Sequence, residues 1–222
     1  VTASFGIVLS RLSRDSCVYM GTPFALRTLA SVQNLIGDFV NMLLFKVGYD
    51  PTETYMSVLD RATVAAADVQ RYSMAPFLLL VNTLQKYLPT KDPSRNPISQ
   101  TMIDVVPNET DDPSEGMSGI FDIFLFANTR QGQLWSIQAT YNKTILEEQT
   151  VRMIMLQMPV LTALAARNCK MPLPRSLTSA EEVQLMSGGD GLVLTHLRMR
   201  VGPLPHIVGI KAGWEDEDEP QE

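Results

Sequence analysis

The sequence predicts a mixed α/β layer fold, and three observations carry that prediction. Apolar residues recur at helical spacing in several segments; Val1, Phe5, Val8 and Leu12 open the chain this way. Other segments are short apolar runs rich in β-branched and aromatic residues, bounded by Gly, Pro, Asn and Asp. The two kinds follow one another as helix, strand, helix, helix, strand, hairpin and helix, the order of a layered domain.

After the opening helix, "CVYMGTP" reads as a short strand ending in a turn. Gly37 and Asp38 form a hinge before "FVNMLLFKV", a strand too apolar for simple alternation and therefore expected to be buried on both faces. A lone amide, Asn41, interrupts that run. Asp50-Pro51-Thr52-Glu53 predicts a helix start, with Asp50 as cap, Pro51 in the first turn and Glu53 reaching back. This helix is expected to reach about Tyr72, with Val58, Leu59, Ala62, Ala66 and Val69 facing inward. Pro76 opens a second helix, "PFLLLVNTLQKYL".

"PTKDPSRNP" is a loop, "ISQTMIDVV" a strand and "PNETDDPSEGMSG" an exposed polar loop. "IFDIFLFAN" and "LWSIQATYN", joined by "TRQGQ", predict a hairpin. Thr144 and Glu147 form a capping box for a long helix to about Ala166, with Val151, Met155, Met158 and Leu161 along one side and a kink at Pro159. Beyond it, "SGGDGL" reads as a flexible linker, and "VLTHLRMRV" and "HIVGIKA" as strand-like segments.

With 222 residues, 45% of them hydrophobic and 19% charged, the chain has material for one large domain or two small ones. No apolar run approaches the ~18 residues of a membrane span, and "VTASFGIVLSRLSRDS" lacks the pattern of a signal peptide. Cys17 and Cys169 are the only cysteines, too few for a metal pattern or a disulfide framework, which points to a reducing cytoplasm. The sequons at Asn108 and Asn142 then occur by chance. The net charge of −6 comes from the terminal "WEDEDEPQE"; without its acids the body is balanced. That run reads as a solvated tail, and a neutral body with no basic stripe argues against nucleic acid. The 12 methionines read as adaptable core filling.

Catalytic chemistry is sparse. Nucleophilic catalysis needs a base beside a serine or cysteine, yet the only histidines are His196 and His206, and no serine lies in a G-x-S-x-G elbow. "SGGDGL" is similar to the surroundings of a carrier protein's phosphopantetheine serine, but Gly191 stands in the serine's place. No Gly-rich loop joins a strand to a helix as phosphate binding requires. The residues alone describe a soluble α/β piece without a self-contained catalytic site.

Several landmarks nevertheless occur in a familiar order. "IGDFVN" resembles the Ile-Gly-x-Phe-Val-Asn motif of condensation domains from nonribosomal peptide synthetases. "GTPFALR" resembles that family's Gly-Thr-Pro-x-x-x-Arg segment, "APF" stands at its Pro-Phe-Glu, and "DPSRNPISQ" matches its Ser-Arg-Asn-Pro. "FDIFLF", the Gly132 turn, "TYN" and the last helix follow its closing pattern, and "LTSAEEVQLM" resembles the linker that leaves such a domain.

The resemblance covers about Val1 to Met186. It implies a chloramphenicol acetyltransferase-like αβ sandwich in which this chain is most of the second lobe of a two-lobed domain. Residues 1–186 would be the C-terminal part of the condensation domain, 187–213 a terminal extension with a strand, and 214–222 an acidic disordered tail. The implied reaction joins a carrier-bound acyl or aminoacyl thioester to an amine or hydroxyl. Its His-His-x-x-x-Asp-Gly motif is absent from this sequence, so the catalytic residues would come from an N-terminal half of the domain, in the same or a separate chain. The implied partners are that half and a peptidyl or acyl carrier protein, with no bound cofactor beyond the carrier's phosphopantetheine, no metal, no nucleic acid and no membrane.

By the same resemblance Val40, Asn41 and Met42 line the substrate tunnel, while Arg27, Gly37, Arg95 and Asn96 are structural. Asn41 has an equally weighted alternative as a buried amide satisfied by backbone. Met42 stands where the family has Thr, "QRYSM" replaces His-Gln-Asp, and Leu78 replaces Glu. These departures leave two further readings: a non-catalytic condensation-like domain that recruits carriers or partner enzymes, and a coenzyme A-dependent acyltransferase of the same fold.

Overall fold

The computed structural model describes residues 1–87, 95–96, 98–107, 121–130, 133–170, 172–173, 196–200 and 207–211. Helices α1 (Thr2–Ser13), α2 (Tyr55–Arg71), α3 (Phe77–Leu84) and α4 (Glu148–Arg167) accompany strands β1 (Cys17–Ala25), β2 (Val40–Gly48), β3 (Thr101–Pro107), β4 (Ile123–Arg130), β5 (Gln133–Tyr141), β6 (His196–Arg200) and β7 (Ile207–Lys211). The strands form one sheet in the order β2-β1-β3-β4-β5-β7-β6. Strand β3 runs parallel to both β1 and β4, and the remaining pairs are antiparallel. The expected hairpin is β4–β5, and the strand-like segments near the end add β7 and β6 beyond β5. The expected linker 187–192, the polar loop 108–119 and the tail 214–222 lie outside the described residues.

Helices α1, α2 and α4 pack on one face of the sheet. The main core joins Phe5, Ile7 and Val8 of α1, Val58 of α2, and Val151, Met155, Met158 and Leu161 of α4 to Met20, Phe45, Val47, Leu125 and Ala139. The predicted stripe on α4 is therefore fully buried, at 0–1% exposure. Helix α1 is buried nearly all round rather than on one side, because Gly6 lets it lie directly on β2; a Cβ at Gly6 would approach Val47 Cγ1 to 2.5 Å. Ser4 Oγ joins Tyr55 Oη (2.8 Å) and Thr162 Oγ1 (2.9 Å), tying the three helices with one polar knot.

Three local expectations are corrected. The turn at Asp50 closes as predicted, with Glu53 N–H donating to Asp50 O (3.0 Å) and Asp50 N–H to Glu53 Oε2 (3.3 Å). It does not propagate, because Leu173 N–H takes the Glu53 carbonyl (3.0 Å) and Thr54 bridges to Pro172. Helix α2 starts later, capped by Thr54 Oγ1, which accepts from Ser57 N–H (3.2 Å). At the second predicted capping box the Thr144 hydroxyl instead donates to Asn142 Oδ1 (2.6 Å), and α4 begins at Glu148. Pro159 lies inside this helix. Strand β2 is not buried on both faces: Leu43, Phe45 and Val47 enter the core, whereas Lys46 is exposed.

Candidate functional site

The residues singled out by the sequence build a frame around β1, β2 and β3. Arg27 gathers the loop between β1 and β2. Its Nη1 donates to the carbonyls of Val32 (2.9 Å), Gln33 (3.3 Å) and Leu35 (2.7 Å), its Nη2 to that of Gly37 (3.0 Å), and its guanidinium stacks 4.4 Å from the Phe39 ring centre. Gly37 belongs there because a Cβ would come within 3.2 Å of Phe39. Asp38 Oδ1 accepts from Val40 N–H (2.9 Å) and starts β2. On the other side of the sheet's parallel region, Arg95 pairs with Asp122. Asn96 Oδ1 accepts from the N–H groups of Ile98 and Ser99 (both 3.1 Å), which turns the chain into β3.

Asn41 is fully engaged with backbone. Its Nδ2 donates to the carbonyls of Ser73 (2.7 Å) and Ala75 (2.8 Å), and its Oδ1 accepts from Phe77 N–H (3.1 Å). One side chain thus holds the α2–α3 turn against β2. Side chains alternate across a strand, so Asn41 shares the helical face with Leu43 and Phe45, while Val40 and Met42 point the other way. The three residues expected to line a single tunnel lie on two faces, and both N–H donors of Asn41 are committed to the protein's own backbone.

That other face carries a second cluster, Met102, Phe121, Phe124 and Phe126 with Met42 and Val106, built from strands and Phe121 without a helical residue. Phe124 and Phe126 meet edge to face at 6.3 Å. Alternation and register place Asp104, Asn128, Ser136, Gln138 and Thr140 on the same face. Asn128 Nδ2 donates to Ser136 Oγ (3.1 Å), and burial raises the pKa of Asp104. The sequence reading missed this polar set. Its signal was a carboxylate two residues from Met102 in "TMIDVV" and amides at alternate positions of the hairpin.

A cavity of about 480 Å³ opens on the helical side where β1 and β3 part, bordered by Thr22, Phe24, Leu59, Ala66, Ile103 and Val105. A shallower one of about 710 Å³ holds the Glu53–Arg61 pair, where the Arg61 hydrogen bond lowers the pKa of Glu53. Among the described residues no three His, Cys, Asp or Glu side chains gather as metal ligands, and no helix is long and apolar enough to cross a membrane. His196 sits in β6, paired in register with Lys211; His206 lies outside the described residues.

A mixed sheet with its helices on one face and motif residues clamping β1, β2 and β3 is an αβ lobe of the chloramphenicol acetyltransferase-like class. A family model described as "Condensation domain" matches residues 1–186, and the chain belongs to that family. It is 29% identical over 155 residues to a component of the linear gramicidin synthase of Brevibacillus parabrevis, covering 68% of this chain and 3% of that protein. Nonribosomal peptide synthetase kk1B of Curvularia clavata is 33% identical over 100 residues, covering 45% of this chain and 1% of that protein.

Solved structures agree on the fold. A holo four-domain nonribosomal peptide synthetase bound to AMP and glycine matches with a TM-score of 0.66 at 18% identity, over 81% of this chain and 16% of that one. The X-domain solved with OxyB from teicoplanin biosynthesis gives 0.65 at 17%, over 80% and 42%. The starter condensation domain of rhizomide synthetase gives 0.58 at 16%, over 77% and 42%. The chain thus spans less than half of these structures and only a few per cent of the curated relatives.

Proposed function

We propose that this chain is most of the second lobe of a condensation domain that joins a carrier-bound acyl or aminoacyl thioester to an amine or hydroxyl acceptor in cytoplasmic natural-product, including antibiotic, biosynthesis. The observation that carries the reading is the family match over residues 1–186, whose motifs occupy coherent structural posts around β1, β2 and β3. The acyl group arrives on the phosphopantetheine of a carrier protein, and the catalytic His-His-x-x-x-Asp-Gly comes from a first lobe, in the same or another chain. Residues 1–186 form the lobe, 187–213 an extension and 214–222 an acidic tail. Val40 and Met42 face the first lobe, with Arg27, Gly37, Arg95 and Asn96 as scaffold.

The test is reconstitution. The chain is combined with a polypeptide carrying the His-His-x-x-x-Asp-Gly lobe, an acyl-loaded carrier and an amine acceptor, and the product is read by mass spectrometry. Product that requires both lobes and vanishes on alanine replacement of the second motif histidine supports the reading. Equal product from free coenzyme A thioesters would favour the coenzyme A-dependent acyltransferase instead.

A second reading is a non-catalytic domain that recruits carriers or partner enzymes. It is favoured by "QRYSMAPFLLL", whose Leu78 and Leu79 are 68% and 61% exposed, and by the likeness to an X-domain captured in a complex. Turnover in the reconstituted mixture excludes it.

A further inference from the structure

Three side chains on the strand-built face have hydrogen-bonding capacity that the described residues leave unused. Asn128 is only 4% exposed, and its Oδ1 is buried without a partner; Gln138 Oε1 is likewise buried and unpaired. The Asp104 carboxylate accepts from the Val105 backbone N–H, and no cation among the described residues compensates its charge. Buried acceptors are almost always paired in native folds, so their grouping here calls for a reason.

The register supplies the geometry. Asp104 and Gln138 both pair with Phe126, one from each side, and Asn128 stands two residues farther along β4. With strands ~4.8 Å apart and a rise of ~3.3 Å per residue, the three side chains leave the sheet around the Phe126 ring from points within about 10 Å of one another.

We propose that Asp104, Asn128 and Gln138 form a receptor for a primary ammonium group, seated beside Phe126 and carried by an aminoacyl substrate. The inference rests on the acyl-transfer reading in assigning the ammonium to such a substrate. An ammonium brings three N–H donors and no acceptor, which matches two unpaired amide oxygens and a carboxylate. Its charge compensates Asp104, and the aromatic ring adds a favourable surface for a cation. A divalent cation fits poorly, since calcium takes six to eight oxygens and magnesium a strict octahedron. A neutral amide would bring one or two donors and leave the carboxylate uncompensated.

The experiment is a titration of the isotope-labelled 222-residue chain, followed by nuclear magnetic resonance, with three amides of similar shape. Nα-acetyl-lysine amide presents a side-chain ammonium, norleucine amide an α-ammonium, and Nα-acetyl-norleucine amide neither. At least one ammonium probe should bind tenfold or more tightly than the neutral one, and which one does so names the source of the ammonium. Asp104→Asn should abolish the preference and leave the neutral probe unchanged; Gln138→Leu gives an independent check should the first variant fold poorly. Equal binding of all three probes, or a preference that survives both substitutions, overturns the inference. Reconstituted turnover reports separately on acyl transfer: equal binding with turnover removes the receptor alone, and preference without turnover upholds the receptor while removing the acyl-transfer reading.

Discussion

Replacing Asn41 by alanine would strand two carbonyls and one N–H that share its amide. Unmet backbone groups cost about 1–3 kcal/mol each when buried, and these are partly solvated, so a loss of about 2 kcal/mol is expected from denaturant unfolding. Asn41→Asp should be worse at neutral pH, because a carboxylate would face the carbonyls of Ser73 and Ala75, and should recover in acid when it can donate. Asp104 shows the opposite balance. Burial raises its pKa above the ordinary 3.8, so the folded state holds the proton more tightly than the unfolded chain. Stability therefore falls as pH rises from the ordinary value through the raised one, and the penalty is complete above it. Asp104→Asn should raise the melting temperature at pH 7 and change it little at pH 3, as thermal scans at the two pH values will show. A substitution that stabilises the fold while removing ammonium preference is the signature of a group kept for binding.

The elements carry their own tests. Gly6→Ala improves helix propensity by about 1 kcal/mol, yet the added methyl meets Val47 in a packed interface between α1 and β2. Overpacking costs about 1–3 kcal/mol, so a net loss is expected, and a second substitution, Val47→Ala, should partly offset it. Leu161→Ala opens a void under α4, where the side chain is 0% exposed, and should cost about 2–5 kcal/mol in denaturant unfolding. The stripe containing Leu161 was legible because a helix needs only its own period to declare a buried side. The two helix starts were not. Local capping signals at Asp50 and Thr144 were real hydrogen-bonding groups, but Leu173 claimed the Glu53 carbonyl and Asn142 claimed the Thr144 hydroxyl. A residue far along the chain decided the first case, and a stronger nearby acceptor the second.

At the scale of the whole molecule, large apolar side chains cluster in the exposed part of the α2–α3 region. Tyr72 is 73% exposed, Met74 72%, Leu78 68% and Leu79 61%. Apolar patches of this kind mark interaction surfaces, and the proposed first lobe or a carrier is the partner in view. A Leu78→Glu, Leu79→Glu variant should unfold within about 0.5 kcal/mol of the original, as exposed positions do. Sedimentation velocity should show weaker association with the first-lobe polypeptide; unchanged association would place that interface elsewhere on the chain.

The sequence by itself determined most element types and the family, because helical periodicity, apolar strand runs and ordered motifs are local properties of a chain. It also marked Arg27, Gly37, Asn41, Arg95 and Asn96 as residues with duties. Tertiary structure decided what Asn41 does and which face each strand residue takes. An amide's partners are chosen in space, and a strand's two faces become distinct only when helices cover one of them. The Asp104, Asn128 and Gln138 grouping arises the same way: three polar residues scattered over 35 positions become neighbours only through the register of β3, β4 and β5.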